Sequence, residues 1–247
     1  MPSAPVRPSR TPSKTALPRP LVLVDVVIFT LRDGRLEVLL MKRAAASGEP
    51  FADAWALPGG YVDTGLDADL AACARRTLRA KTGVDAPYLE QLGSWGNALR
   101  DPRGWSVTTV YFTLLSAADA DLGAGGNAVD VGWCPIDSER VRPDLAFDHA
   151  VLLAAALQRL RSKVEYTSLP GYLVPAEFTL SELQHAYESV LGRPLEKSAF
   201  RTRVLSAGMV EPIDGVRAGP TRPAQLYRLA RPAELVFFPR TFNPPRE

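Results

Sequence analysis

Between Trp55 and Val84 the sequence prescribes a glycine-bearing loop followed by a helix. Trp55-Ala56-Leu57-Pro58 leads into the pair Gly59-Gly60, where the backbone can approach a neighbour closely. Residues 67–81 read as a helix, with acids in the first turn and Gly83 just past the end. The flanking segments read as strands. Residues 21–30 (LVLVDVVIFT) are apolar and β-branched, as in a strand buried on both faces. Asp33-Gly34 is a hairpin signal, and residues 35–41 return as a second strand. Residues 89–95, 107–115 and 129–134 read as further strands, and residues 146–163 as a long Ala/Leu-rich helix. This alternation predicts an α/β fold, an α/β/α sandwich, over residues 21–165.

Gly59-Gly60, Arg76, Leu78, Gly83 and Val84 carry a resemblance to the Nudix box, the loop-helix motif of diphosphate hydrolases. In that motif a glutamate follows the arginine and a Glu-Glu pair comes three residues later. Here Thr77 and Ala80-Lys81 stand in those places. The motif's loop glutamate falls near residues 66–68, where the chain carries two extra residues. Positions 77, 80 and 81 share one helix face, so three glutamates there would clamp Mg²⁺, a cation that demands oxygen ligands. Threonine, alanine and a lysine would not. The resemblance implies the Nudix fold, while the residues predict no catalytic group, no metal and no cofactor. The rival reading is a Nudix (ADP-ribose) pyrophosphatase with displaced ligands, which would have to recruit Asp63, Asp67 and Asp69.

Composition adds limits. The chain has no run of about 18 apolar residues, so a helical membrane span is not expected. It has no apolar signal core, and Cys73 and Cys134 lack framework spacing, which together suggest a reduced, cytoplasmic protein. Residues 1–20 contain four cations, no acid and six prolines, which suits a disordered leader or a basic arm on nucleic-acid backbone. His149 and His185 are isolated and read as surface or packing residues. Trp95, Trp105 and Tyr111 suit either the core or a stack on adenine.

The composition changes at Tyr166. Thr179-Leu180-Ser181-Glu182 is a capping box, and Leu180, Leu183, Tyr187, Val190 and Leu191 stripe one helix face before Gly192-Arg193-Pro194 breaks it. A second helix spans about 196–207. Short strands at 209–212 and 225–229 flank a loop at 214–223. Helix, turn, helix and hairpin make a winged helix-turn-helix over residues 166–232. On the second helix Phe200, Val204 and Ala207 point inward, Ser198, Arg201 and Thr202 outward, with Lys197 and Arg203 at the flanks. Between Arg193 and Arg231 eight cations face three acids, which reads as a phosphate footprint or a solvated basic face. With Arg217 and Arg222 on the wing, the predicted DNA contacts are Lys197, Ser198, Arg201, Thr202, Arg203, Arg217 and Arg222. The tail, residues 233–247, includes Leu235-Val236-Phe237-Phe238, apolar enough to dock on the body or on a partner subunit.

These C-terminal words, with the altered box, resemble the Nudix-related transcriptional regulators of NAD metabolism. That resemblance implies a homodimeric repressor of NAD synthesis or salvage genes. It also implies a near-palindromic double-stranded DNA operator and an ADP-ribose-type effector that releases it. Arg100-Asp101-Pro102-Arg103-Gly104 resembles a family loop near the ligand, or is a surface turn. The predicted ligand contacts are Gly59 and Gly60 with the cations Lys42, Arg43, Lys81, Arg100 and Arg103. A third reading, a protein-docking winged helix, requires that duplex DNA bind no better than any polyanion.

Overall fold

Strand β1, Leu21–Arg32, is buried without a break from Val24 to Thr30 because it runs through a sheet covered on both faces. The computed structural model describes residues 19–45, 48–120, 131–137, 139–218 and 223–239. On one edge β1 pairs in parallel with β6, Ser106–Leu115, along its length. Its other edge is divided. Residues 29–32 pair with β2, Arg35–Lys42, through a hairpin in which Asp33 and Gly34 both have positive φ. Residues 23–25 pair instead with β4, Gly59–Tyr61. Strands β3, Trp55–Ala56, and β7, Val131–Pro135, both pair with β2, and β5, Glu90–Asn97, completes the seven strands beside β6.

The parity of β1 decides what covers each face. Val24, Val26 and Ile28 pack with Cys73, Ala74 and Leu78 of α1, Leu70–Thr82. Val27 and Phe29 belong to the cluster that holds Leu152, Ala156 and Leu160 of α2, His149–Val164. The expected sandwich is present, with two shifted helix starts. Helix α1 begins at Leu70 rather than 67, and its first turn holds no acid, because Asp69 caps it (Ala72 N–H, 2.6 Å) and Asp67 stays in the loop. Helix α2 begins at His149 rather than 146. Asp148 at its N-terminus makes no cap, its carboxylate being held by Arg100.

A 3₁₀ turn, Leu169–Leu173, leads to β8, Phe178–Thr179, and to helices α3, Leu180–Leu191, and α4, Lys197–Ser206. The Thr179/Glu182 capping box is formed (2.7 and 3.2 Å), and Gly192 at φ +68° closes α3. Strands β9, Val210–Arg217, and β10, Ala224–Leu229, complete a three-stranded sheet with β8. Strand β9 runs five residues past the expected 209–212, so residues 214–217 of the expected loop are strand. Gly215, at φ +120°, takes the bend, and Gln225 Nε2 donates to the Ile213 carbonyl at 2.6 Å. Arg222 and residues 1–18 of the expected arm lie outside the described residues.

One apolar cluster runs from α2 through the 3₁₀ turn into Leu183, Tyr187, Phe200 and Val204, so the two parts share a core. The β1–β2 hairpin adds a second contact: Ser189 of α3 donates to the Gly34 carbonyl (3.2 Å), and His185 lies directly against Gly34. The tail docks on the body. Val236 exchanges hydrogen bonds with Ser168 (both 2.9 Å) and Phe238 N–H donates to the Tyr166 carbonyl (2.8 Å), burying both side chains.

Candidate functional site

Where the edge of β1 divides between β2 and β4, a cleft opens on the α2 side of the sheet. Leu23 and Asp25 of β1 form its base, and Leu57, Gly59, Gly60 and Tyr61 one wall. Arg43, just past β2, and Arg100, Asp101 and Arg103 bring cations and a carboxylate, with Phe147 and His149 beside them. The Phe147 backbone is left-handed, φ +56°, an uncommon state for an aromatic residue. Its ring lies tilted against Phe51 (4.7 Å) and receives the guanidinium groups of Arg43 (4.8 Å) and Arg103 (5.8 Å). Glu49 lies 3.4 Å from each of these two arginines, an internal anion between two cations.

Beneath them the charges are buried. Arg100, 7% exposed, grips Asp148 with two bonds of 2.9 and 3.0 Å. Asp101 accepts three bonds from Arg103, and the Arg103 guanidinium holds its carboxyl below the usual range. The Leu57 N–H donates to His149 Nδ1 at 2.9 Å, and burial lowers the pKa of the ring. The neutral imidazole therefore carries its proton on Nε2.

The loop before α1 is locked by a different pair. Arg76 makes two bonds to buried Asp67 (2.6 and 2.7 Å), which also accepts the Asp63 N–H. The Arg76 guanidinium holds the Asp67 carboxyl far below its ordinary pKa. Asp67 thus fills the expected window for the loop carboxylate, in a structural role. Asp69 is engaged as a cap, and Asp63 Oδ1 holds the Gly65 N–H. Each of the three carboxylates that a relocated metal would need has a local hydrogen-bond partner. Thr77 is buried, and Ala80 and Lys81 offer no anionic oxygen. Among the described residues no group of three or more His, Cys, Asp or Glu side chains is placed to hold a metal.

Helix α4 presents a second surface. Phe200 and Val204 are buried while Lys197, Ser198, Arg201 and Thr202 face solvent, as the wheel predicted. Glu196 caps the helix, accepting from the Ser198 and Ala199 N–H groups. Among the described residues no ion pair involves Lys197 or Arg201. The rest of the basic excess is less free than a count suggests. Arg193 pairs with Glu165 (2.9 Å), Arg228 with Glu211 (2.6 Å) and Arg231 with Glu234 (3.3 Å). Arg217, expected on the wing, is bound to Glu182 and the Glu177 carbonyl, and Arg203 lies over the Phe238 ring at 5.7 Å.

This combination of a Nudix sheet and a winged helix is matched by known proteins. The Nudix domain model fits residues 22–156, and the NrtR DNA-binding winged helix domain model fits residues 170–229. The ADPR responsive transcriptional repressor NtrR of Acinetobacter baylyi is 46% identical over 94% of this chain and 91% of its own. The chain belongs to the NrtR branch of the Nudix family. The crystal structure of Shewanella oneidensis NrtR complexed with a 27mer DNA superposes with a TM-score of 0.81 at 39% identity, covering 90% of this chain and 99% of that one. The NUDIX domain of the same NrtR complexed with ADP ribose matches 60% of this chain and 93% of that one, with 40% identity and a TM-score of 0.52.

Within this NrtR fold, Arg43, Gly59, Gly60, Arg100 and Arg103 come together at the cleft, and the 100–104 loop lies there rather than at a remote turn. Lys42 and Lys81 are not among the cleft residues. Lys42 pairs with Asp53 at 2.9 Å. Lys81 sits in the last turn of α1, on the opposite face of the sheet, where its charge complements the helix C-terminus. Sequence reasoning missed Asp25, Asp101, Phe147 and His149. An aspartate inside an otherwise apolar strand was the available signal for Asp25. The other three are assembled only by tertiary structure. Tyr111 is core, half of the alternative offered for it; Trp105, 51% exposed, is not.

Proposed function

We propose that the protein is a DNA-binding transcriptional repressor that senses ADP-ribose, or a closely related dinucleotide, in the Nudix cleft and is released from its operator by it. The observation that carries this reading is the joining, through one core, of an arginine-bearing cleft to a helix that presents Lys197 and Arg201 to solvent. Arg43 and Arg103 suit a diphosphate, and the aromatic faces of Tyr61 and Phe147 suit a base. The β1–β2 hairpin, whose strands carry Asp25 and lead to Arg43, touches α3 at Gly34, which supports communication between the sites. Control of NAD synthesis or salvage genes, a homodimer and a near-palindromic operator are proposed on the family resemblance. Such a regulator acts in the cytoplasm.

The test is operator titration at fixed salt with and without ADP-ribose. The expected coupling is about 1–3 kcal/mol, or roughly 5- to 150-fold in affinity. Ligand binding with no change in operator affinity would reduce the Nudix part to a scaffold. Arg201→Ala is expected to cost about 1–3 kcal/mol of operator affinity if its guanidinium meets a base edge, with Arg217→Ala weaker because Glu182 already holds that side chain. Equal losses on operator and random duplex would assign Arg201 to phosphate contact instead. No Mg²⁺- or Mn²⁺-dependent hydrolysis of ADP-ribose is expected, and turnover near about 1 per second would restore the enzyme reading.

Glu49 gives a prediction of opposite sign. Its carboxylate stands between the two arginines that a diphosphate would use. Glu49→Gln is expected to tighten ADP-ribose binding by about 2- to 10-fold, as two half-exposed ion pairs no longer compete. Calorimetry showing weaker binding would place the phosphates elsewhere.

A further inference from the structure

At the base of the cleft lies a carboxylate that no donor holds. Asp25 is 3% exposed, and its Oδ2 has no hydrogen-bond partner among the described residues. Two donors face it at distances too long for a hydrogen bond: Arg100 Nη2 is 3.7 Å from Oδ2, and His149 Nε2 is 3.7 Å from Oδ1. Each is fixed by another contact. Arg100 is bound to Asp148, and His149 is oriented by the Leu57 N–H. The backbone of β4 passes over the carboxylate at Gly59, where an added Cβ would stand 2.0 Å from Oδ1. A buried acceptor without a donor is rare and asks for an explanation.

We propose that Asp25 accepts a hydrogen bond from a sugar hydroxyl of the bound effector, so that the cleft selects a dinucleotide bearing a second ribose beyond its diphosphate. This rests on the reading of the cleft as a nucleotide diphosphate site. A phosphate is repelled by a carboxylate, and a base finds an aromatic face at the rim, where Tyr61 is exposed. The base of the cleft suits a small group rich in hydroxyl donors. A site built around such a hydrogen bond discriminates strongly against a ligand that lacks the donor.

The test measures ADP-ribose and ADP binding by calorimetry on the full chain and on Asp25→Asn and Asp25→Ala. Electrostatics alone predicts that removing a negative charge from a cationic cleft tightens both ligands. The proposal predicts the reverse for one of them. ADP-ribose affinity falls about tenfold or more, while ADP affinity is unchanged or rises. Operator affinity without ligand reports whether each variant is folded, and the ratio of the two ligand affinities is independent of the folded fraction. Parallel losses for both ligands, or wild-type protein that does not distinguish them, would overturn the role of Asp25 and leave the nucleotide cleft standing. Wild-type protein that binds neither ligand would overturn the cleft reading itself, and this inference with it.

Discussion

Replacing Arg100 with methionine is expected to lower the unfolding free energy by about 3–5 kcal/mol, the usual cost of removing one partner from a buried ion pair. The side chain is almost wholly enclosed, holds Asp148 with two hydrogen bonds and approaches both Ser106 Oγ (3.3 Å) and Asp25. Methionine fills a similar volume and leaves Asp148 and Asp25 without this counter-charge. Urea denaturation should show a lower midpoint with an unchanged slope. A loss below about 1 kcal/mol would mean that water enters and replaces the guanidinium.

The second large effect distinguishes two glycines that look equivalent in sequence. Gly59→Ala places a methyl group 2.0 Å from Asp25 Oδ1 and 3.0 Å from the Val24 carbonyl oxygen, so β4 must move away from β1. Overpacking of this kind costs about 1–3 kcal/mol. Ligand binding should weaken with it, because the same step forms the cleft wall. At Gly60 an added Cβ meets nothing within 4 Å, and Gly60→Ala should stay within about 0.5 kcal/mol of wild type. Shortening Asp25 to serine in the Gly59→Ala background should recover part of the loss, a coupling of about 0.5 kcal/mol or more. Equal effects at the two glycines would contradict the close approach.

Much of the architecture was legible because it rests on short-range rules. The buried run of β1, the hairpin at Asp33-Gly34, the Thr179/Glu182 box and the inward face of Phe200 and Val204 are each decided within about ten residues. The errors fall where a side chain chose a partner other than the one its local pattern suggests. Asp67 reads as a helix-start acid, yet it binds Arg76 and leaves the cap to Asp69. Asp148 leaves its helix uncapped to hold Arg100, 48 residues away in sequence. Arg217 lies on the wing hairpin as expected, and its ion pair with Glu182 was not legible in the sequence. Lys81 reads as a ligand-contacting cation, but the parity of β1 places α1 and the cleft on opposite faces of the sheet. Five of the seven predicted cleft residues converge, while His149 and Phe147 gain their roles only through packing.

The docked tail changes what kind of joint connects sensor and reader. Tyr166, Thr167 and Ser168 leave α2 as a single strand of chain, but Val236, Phe237 and Phe238 return alongside and bond to them. A single strand acts as a swivel, free to twist and bend. A two-stranded ribbon acts as a door hinge, stiff to twist and compliant about one axis. The winged helix is therefore tied to the sheet by two strands of chain as well as by the shared core, which opposes twisting of one part against the other.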